Sequence, residues 1–293
     1  WNAYAPDTTR IAGFVSGYQC PIPPAYQSQL GGTHLTGQGG MISVVGRTSS
    51  GPSCTAYSPR DLGTTVPAPA SLLMGYPTGP VSSGLHHPTL GTWGMTGSGL
   101  GLYNGTQGFR GMIFPEHTRS ILFVGWGAPK FCYGAGTLDP ALDGTPHPNG
   151  GLWCYDPSNV TGKGTHGYPP TALIFAYDVN DVLAVLQGTR KPWDVVPYDT
   201  WSFSLPHQAK VVNGVDTGKY ELVGAAYDPA TRRLYLSGGS ADGAAPLIHV
   251  LTLAGPTPYG APLCRPRRQF VYECPPVACS CHVPDEVPPE SDS

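Results

Sequence analysis

Residues 111–125 read GMIFPEHTRSILFVG, and residues 224–238 read GAAYDPATRRLYLSG. The two stretches align without a gap: each opens on Gly, passes an aromatic residue and a proline-containing turn to Thr-Arg, and closes on an apolar run and Gly. An apolar strand, a turn and a second apolar strand predict a β-hairpin. A hairpin that recurs within one chain indicates a repeat architecture.

Two further stretches resemble each other and occupy equivalent places in the chain. Residues 56–62 (AYSPRDL) and residues 176–182 (AYDVNDV) both read Ala-Tyr, three residues, Asp and an aliphatic residue. Each follows an apolar segment that ends in glycine, residues 41–46 (MISVVG) before the first and residues 121–125 before the second. After the second hairpin, residues 246–253 (PLIHVLTL) form an apolar segment at the equivalent place. The predicted unit is therefore a hairpin, a loop of variable length and an outer strand.

The bulk composition predicts an all-β fold with many turns. The 293 residues include 40 Gly and 33 Pro, yet 40% are hydrophobic, which is enough for a core. Short strands joined by turns and long ordered loops account for both features. Charged residues make up only 12% and the net charge is -3, so no basic stripe marks a nucleic-acid partner. A surface with little charge repels other copies weakly, which favours assembly over the alternative of a glycosylated, uncharged surface.

Three units can be placed, at residues 33–62, 108–183 and 221–254. Four-stranded units packed around an axis are the blades of a β-propeller, and a closed propeller usually has about 4–8 blades. Three blades are too few for a closed ring. Either residues 1–30 and 64–105 supply divergent blades, or the natural chain extends before its first residue.

The predicted β-propeller-like domain spans residues 1–255, with four-stranded blades and long loop insertions, and residues 256–293 form a tail rich in cysteine and proline. One segment of the domain departs from the β pattern. Residues 178–188 (DVNDVLAVLQG) begin on Asp, carry apolar residues three to four apart and end on Gly. These are the start and stop signals of a short helix, which we place near residues 180–187.

Several segments carry a resemblance to known propellers. Residues 226–237 (AYDPATRRLYLS) resemble the strand-turn-strand signature of YVTN-type and NHL-type propeller repeats. Residues 175–181 (FAYDVND), the sequence RKPW at 190–193, and the segments 131–134 (FCYG) and 153–156 (WCYD) are similar to secreted bacterial propeller-like proteins of no assigned activity. The resemblance implies a propeller architecture and implies no catalytic residue.

The chain has eight cysteines, an even number that predicts an oxidising compartment and up to four disulfides. We therefore expect a secreted or cell-surface protein. Cys20 with Cys54, and Cys132 with Cys154, are natural loop-closing pairs. The other four lie in the tail, where they form local bridges or a covalent link to another chain: Cys264, Cys274, Cys279 and Cys281. The alternatives for this cluster, a zinc site that includes His282 or attachment of a haem, fit its spacing less well.

A candidate calcium site is predicted at the start of the short helix. Asp178, Asn180 and Asp181 bring three side-chain oxygens together in the sequence, and calcium prefers oxygen ligands. Helix capping explains Asp178 equally well. Asp139 and Asp143 form a second candidate set, for which turn chemistry is the alternative. No cofactor is required by the sequence.

Sequence motifs of catalysis are absent from the chain. There is no G-x-S-x-G elbow, P-loop or dinucleotide fingerprint, and no spacing pairs the few glutamates as a glycosidase would. The adjacent pair His86-His87 is poorly placed to hold one metal ion and fits a loop instead. Five tryptophans either stack on sugars or belong to the core: Trp93, Trp126, Trp153, Trp193 and Trp201.

We therefore expect a non-enzymatic β-propeller scaffold that is a structural or binding component of an extracellular assembly. Its expected partners are other copies of itself or another extracellular protein, reached through the tail, and glycan is a further candidate. No segment of 18 or more apolar residues predicts a membrane span. Two alternatives are a propeller hydrolase or lyase acting on extracellular polysaccharide and a lectin-like binding module.

Overall fold

The structure is a computed structural model that describes residues 17–37, 52–64, 68–75, 86–87, 91–92, 106–160, 162–206, 211–212, 215–216, 222–242 and 245–253. Strands predominate in this part of the chain, which confirms the predicted all-β class. In chain order the strands are β1 (Tyr18–Pro21), β2 (His34–Gly37), β3 (Cys54–Tyr57), β4 (Ala70–Met74), β5 (His86–His87), β6 (Gly91–Thr92), β7 (Gly108–Ile113), β8 (Ser120–Gly127), β9 (Cys132–Thr137), β10 (Leu152–Tyr155), β11 (Lys163–His166), β12 (Thr171–Asp178), β13 (Asp199–Phe203), β14 (Val211–Val212), β15 (Val215–Asp216), β16 (Leu222–Asp228), β17 (Arg233–Asp242) and β18 (Ala245–Thr252). The helical segments are α1 (Pro24–Leu30), α2 (Val179–Leu186) and the 3-10 turns Pro59–Asp61 and Pro140–Leu142.

Three antiparallel sheets form the body of the described structure. Sheet one has the strand order β1-β2-β3-β4, sheet two has the order β7-β8-β12-β13, and sheet three has the order β16-β17-β18. A further three-stranded sheet, the inserted sheet, has the order β10-β9-β11 and lies in the connection between β8 and β12. Strands β5 with β6 and β14 with β15 form two short hairpins.

The two aligned stretches of sequence both fold as antiparallel hairpins with the same register. Phe109 pairs with Gly125 in the β7–β8 hairpin, and Leu222 pairs with Gly238 in the β16–β17 hairpin. Immediately after these pairs, both hairpins contain a register shift, so that a bulge occurs at the same aligned position. The two stretches therefore share their pairing as well as their residue types.

The turns of the two hairpins are closed by the aligned threonines. The Thr118 hydroxyl donates to the carbonyl oxygen of Pro115 at 2.8 Å, and the Thr231 hydroxyl donates to the carboxylate of Asp228 at 2.6 Å. In both cases the acceptor lies three residues earlier in the chain. A hydroxyl that bonds back across a turn in this way favours the turn over an extended chain.

Sheet two is the middle layer of the stack. Its residues Phe123 and Tyr177 pack with Leu35 and Ala56 of sheet one in a first core, in which the rings of Phe123 and Tyr177 lie 5.3 Å apart. Its other face packs against sheet three in a second core, whose buried members from the two sheets include Ile113, Leu122, Val124, Ala176, Leu234 and Leu236. The first strand of sheet two, β7, contacts the first strands of both neighbours, β1 and β16.

Burial on both faces explains the sequence of the central strand β8. Ile121 and Phe123 belong to the first core, whereas Leu122 and Val124 belong to the second. A strand that is covered on one face alternates apolar and polar residues, but a strand covered on both faces is apolar at every position. The continuous run ILFV is therefore the sequence of a strand at the centre of a stack.

The predicted short helix is confirmed as α2. Asp178 is its N-cap and accepts a hydrogen bond from the backbone N–H of Asn180 at 2.9 Å, and Gly188 beyond its end has a φ of 72°. Val179 and Val182 bury one face of α2 in the first core. A second helix, α1, was not predicted, because its seven residues are too few to display an apolar period.

The predicted units differ from the sheets in their bounds. Sheet one begins earlier than residue 33, with β1, and sheet two continues beyond residue 183 to its fourth strand, β13. Both strands are short and half polar, so they lack the apolar run that marks β8. The predicted strand at residues 41–46 and the tail at residues 256–293 lie outside the described residues.

Candidate functional site

The inserted sheet is the candidate functional site. Its central strand β9 is parallel to β10 and antiparallel to β11. A disulfide joins Cys132 in β9 to Cys154 in β10, with Cα atoms 5.7 Å apart, and this confirms the predicted pair. The bridge links two strands that are separated in the chain by the loop at residues 138–151. The sheet is therefore held covalently at the point where its chain connection is longest.

The two faces of the inserted sheet carry different residues, because side chains alternate along each strand. Backbone pairing sets Ala135 between Trp153 and Lys163, and it sets Thr165 beside Tyr133. These residues, with Tyr155, lie on one side, which we call the aromatic face. The opposite face carries the disulfide, His166 and two glycines of β9.

The face opposite the aromatic face is packed so tightly that it requires glycine in β9. A Cβ atom on Gly134 would lie 2.0 Å from the carbonyl oxygen of Leu152, and one on Gly136 would lie 1.9 Å from the carbonyl oxygen of Asn159. The Cε1 atom of His166 would be 2.8 Å from the same Cβ on Gly136. The imidazole of His166 therefore occupies part of the space that a side chain at Gly136 would need.

Both ring nitrogens of His166 contact acceptors. Nδ1 lies 3.2 Å from Oδ2 of Asp156, and Nε2 lies 3.1 Å from the carbonyl oxygen of Gly134. Neither acceptor supplies a proton, so the ring satisfies both contacts only as an imidazolium. The side chain of His166 is 1% exposed and that of Asp156 is 6% exposed, so the contact between them is buried.

Asp156 accepts further hydrogen bonds that hold it in its charged form. The backbone N–H and the hydroxyl of Ser158 both donate to its Oδ1. Burial raises the pKa of Asp156, but the hydrogen bonds from His166 and Ser158 and the charge of the imidazolium outweigh burial, so the pKa is lowered. The carboxylate therefore stays ionised in a site that excludes most water.

The cluster of Ser158, Asp156 and His166 contains the residue types of a catalytic triad in a different arrangement. In a triad the serine bonds to the histidine, and the carboxylate orients the other ring nitrogen. Here the serine bonds to the carboxylate, and Nε2 of His166 is occupied by the Gly134 carbonyl. In this arrangement His166 does not contact the serine, and its contacts with Asp156 and Gly134 link β11 to β9 and to the segment after β10.

The second predicted calcium set is engaged by the chain itself. Asp143 forms an ion pair with Lys130 and accepts a hydrogen bond from the backbone N–H of Tyr155 at 2.9 Å. Burial raises the pKa of Asp143, and the hydrogen bonds from Lys130 and Tyr155 lower it by more. Asp139 accepts from the N–H of Ala141 at 2.9 Å at the start of a 3-10 turn. Turn chemistry therefore accounts for Asp139, whereas Asp143 is engaged by partners that are distant in the chain.

The first predicted calcium set is also engaged. Arg119 Nε lies 2.7 Å from Asp178 Oδ2, whose other oxygen caps α2, and Arg190 Nη1 lies 2.8 Å from Asp181 Oδ1. The carboxylates of Asp178 and Asp181, which were predicted to bind a calcium ion, form ion pairs with arginines instead. No group of three or more His, Cys, Asp or Glu side chains suited to a metal ion occurs within the described ranges.

The predicted disulfide between Cys20 and Cys54 is wrong in this structure, where both cysteines are free and buried. Cys20 lies on β1 opposite Leu35, and Leu35 lies opposite Ala56 on β3, so β2 separates the two cysteine strands. Two strand spacings amount to about 9.6 Å, which exceeds the Cα separation of a disulfide. Burial raises the pKa of Cys20 to about 12. The tail cysteines and His282 lie outside the described residues.

The structure separates the candidate tryptophans by environment. Trp201 is buried in the second core and donates to Asp199, and Trp193 packs against the first core. Trp126 is covered by the guanidinium of Arg110 at 5.4 Å. Trp153 lies on the aromatic face, against the ring of His147 at 4.3 Å. Of the other candidates, His86–His87 forms the two-residue strand β5, and Trp93 lies outside the described residues.

A shallow recess follows α2, with a volume of about 470 Å³. It is lined by Gly188, Thr189, Arg190, Lys191 and Asp194. Arg190 is held by its ion pair with Asp181. The recess brings together two cations and one carboxylate, an arrangement that lacks the paired carboxylates of a glycosidase.

No protein-family model, curated protein or solved structure matches this chain. None of the helices in the described ranges is long and apolar enough to cross a membrane. Sequence reasoning did not identify His166, Asp156 and Lys163 as site residues, because they come together only when β9, β10 and β11 pair. One sequence signal for this cluster is the turn DPS at residues 156–158. In such a turn the aspartate side chain typically accepts a hydrogen bond from the backbone N–H two residues later, here that of Ser158.

Proposed function

We propose that this protein is a non-enzymatic, extracellular scaffold of propeller-like design that serves as a structural or binding component of an assembly. The observation that carries this proposal is the way in which the sheets stack. Each sheet of the stack packs against the preceding sheet through aligned residues. Phe123 of sheet two packs against sheet one, and its aligned residue Leu236 of sheet three packs against sheet two. Such a stack can be continued by adding layers.

The outer face of sheet three marks the place of a next layer. In sheet two the row Ile113, Leu122 and Ala176 is buried beneath sheet three. The aligned row of sheet three begins with Ala226 and Tyr235 and ends on Val250, which is 50% exposed. Residues equivalent to buried ones are therefore uncovered by the described chain, which supports assembly through this face.

The disposition of the charged groups favours a scaffold over a hydrolase. Four carboxylates in and around the candidate sites are held by cations of the same chain: Asp143 by Lys130, Asp156 by His166, and Asp178 and Asp181 by arginines. A glycosidase needs two carboxyl groups facing its substrate. The disulfide supports an oxidising, extracellular location.

Light scattering after size-exclusion chromatography tests the assembly. We expect the wild-type protein to form oligomers and Val250→Asp to be monomeric, because a buried charge without a partner opposes packing. Leu62→Asp is the matched control, since Leu62 is a similarly exposed apolar residue (45%) that follows the 3-10 turn Pro59–Asp61, away from sheet three. A monomeric wild type, or a Val250→Asp variant that assembles normally, would contradict the proposed assembly. Release of reducing ends from polysaccharide would contradict a non-enzymatic role.

A further inference from the structure

The aromatic face places three large rings on one side of a small, stapled sheet. Tyr133 is 45% exposed, and Trp153 and Tyr155 are partly exposed. Strands lie about 4.8 Å apart and rise about 3.3 Å per residue, so neighbouring rings on this face are about 7–8 Å apart. The rings therefore form an extended platform.

The polar ends of these rings are uncommitted. Within the described residues, the hydroxyls of Tyr133 and Tyr155 and the indole N–H of Trp153 have no hydrogen-bond partner. Aromatic residues elsewhere differ: the Tyr57 hydroxyl donates to Gln19 at 2.8 Å, and the indole of Trp201 donates to Asp199 at 2.7 Å. The aromatic face thus combines apolar ring surface with hydrogen-bonding groups available to a ligand.

A cation lies at the edge of the platform. The ammonium group of Lys163 is 5.8 Å from the centre of the Tyr133 ring, a cation–π contact. No carboxylate among the described residues lies within ion-pair distance of Lys163, whereas Lys130 nearby in the chain is paired with Asp143. Lys163 is therefore available to an anionic group of a ligand that lies on the rings.

The platform is held rigid from its opposite face. The disulfide joins β9 to β10, and the buried pair of His166 with Asp156 joins β11 to the segment that follows β10. A surface that is ordered before it binds loses little conformational entropy on binding. The disulfide and the contact between His166 and Asp156 therefore keep the aromatic face ordered before a ligand binds.

We propose that the aromatic face binds a polysaccharide and that Lys163 favours a chain containing uronic acids over a neutral one. A pyranose ring has a C–H-rich face that packs on an aromatic ring, and hydroxyls at its rim that bond to phenol and indole groups. Its carboxylate pairs with Lys163. The remaining side chains of the face, Ala135, Thr137 and Thr165, are small and not the large aliphatic residues that a protein interface core would use. This inference deepens the proposed function and rests on its extracellular location.

Affinity electrophoresis and calorimetry with the full chain test the site, using alginate as a soluble polyuronate and hydroxyethyl cellulose as a neutral chain. We expect tighter binding of alginate, and a loss of about tenfold for Tyr133→Ala and for Trp153→Ala, the effect of removing a central aromatic contact. Tyr198→Ala is the matched control, because Tyr198 is a similarly exposed tyrosine (39%) that immediately precedes β13, outside the face. Tyr133→Phe, which keeps the ring, should retain most of the affinity.

Lys163→Gln tests the preference for acidic chains. We expect it to reduce alginate binding to the level of the neutral chain and to leave neutral binding unchanged.

A folded wild type that binds neither polysaccharide, or binding that survives both alanine variants, overturns the site. The site is also overturned if the wild type binds a protein from which all glycans have been removed and binds neither polysaccharide. Binding with cleavage leaves the site standing and overturns the non-enzymatic proposal, whereas absence of both binding and cleavage overturns the site alone.

Discussion

Gly111 and Gly224 occupy the same position in the two aligned hairpins, but Gly111 is closely packed and Gly224 is not. A Cβ atom on Gly111 would lie 2.4 Å from the Cβ and 2.9 Å from the backbone nitrogen of Ala225, on the neighbouring sheet three. A Cβ atom on Gly224 would have nothing within 4 Å. We therefore expect Gly111→Ala to destabilise the protein and Gly224→Ala to be neutral or slightly stabilising.

The size of the effect follows from these contacts. Overpacking a well-packed core costs about 1–3 kcal/mol. Replacing glycine by alanine offsets about 0.4–1 kcal/mol of this, since the unfolded chain has less freedom to lose. A net loss of about 1–2 kcal/mol lowers the melting temperature by about 2–8 °C, at about 2–4 °C per kcal/mol for a domain of this order of size. Gly224→Ala introduces no close contact, so we expect only the gain of about 0.4–1 kcal/mol in stability that comes from the reduced freedom of the unfolded chain.

Thermal and urea unfolding, followed by tryptophan fluorescence and far-UV circular dichroism, measure both variants. A double-mutant cycle with Ala225→Gly adds a direct test, because removing the opposing methyl should recover part of the loss in Gly111→Ala. Equal midpoints for Gly111→Ala and Gly224→Ala, or a cycle without coupling between positions 111 and 225, would refute the packing of sheet two against sheet three.

Two further predictions concern the inserted sheet. Replacing Cys132 and Cys154 together by serine should cost about 3 kcal/mol, from the loop-closure entropy of a bridge between residues 22 apart, and hydrogen exchange should show the loss first in β9–β11; uniform protection in the variant would contradict this. Asp156→Asn should cost about 1–3 kcal/mol, because it removes the charged acceptor of the buried hydrogen bonds from His166 and Ser158. Because the pKa of Asp156 is lowered in the folded state, its stabilisation is present above the ordinary value of 3.8 and lost as the pH falls through the lowered value. The difference in stability between wild type and Asp156→Asn should therefore shrink below about pH 4 in urea titrations, and a difference independent of pH would contradict the ion pair.

The parts of the fold that were predicted are those with local causes. The hairpins of residues 111–125 and 224–238 depend on a turn and on adjacent apolar strands, and α2 depends on its cap at Asp178 and its stop at Gly188. The strands β1 and β13 were missed because their pairing, and not their composition, places them in sheets. The Cys132–Cys154 pair was predicted as a natural loop-closing pair; the sequence does not show that β9 and β10 are parallel neighbours.

The sequence by itself determined the strand-forming segments, the turns and the presence of a stapled insertion, because each of these arises from residues close together in the chain. Only the tertiary structure decided which groups meet across long separations. It separated Cys20 from Cys54 by an intervening strand, paired His166 with Asp156, and set Tyr133, Trp153 and Lys163 on one face. The physical reason is that strand register, which is fixed by how apolar faces bury one another, decides the neighbours of every side chain.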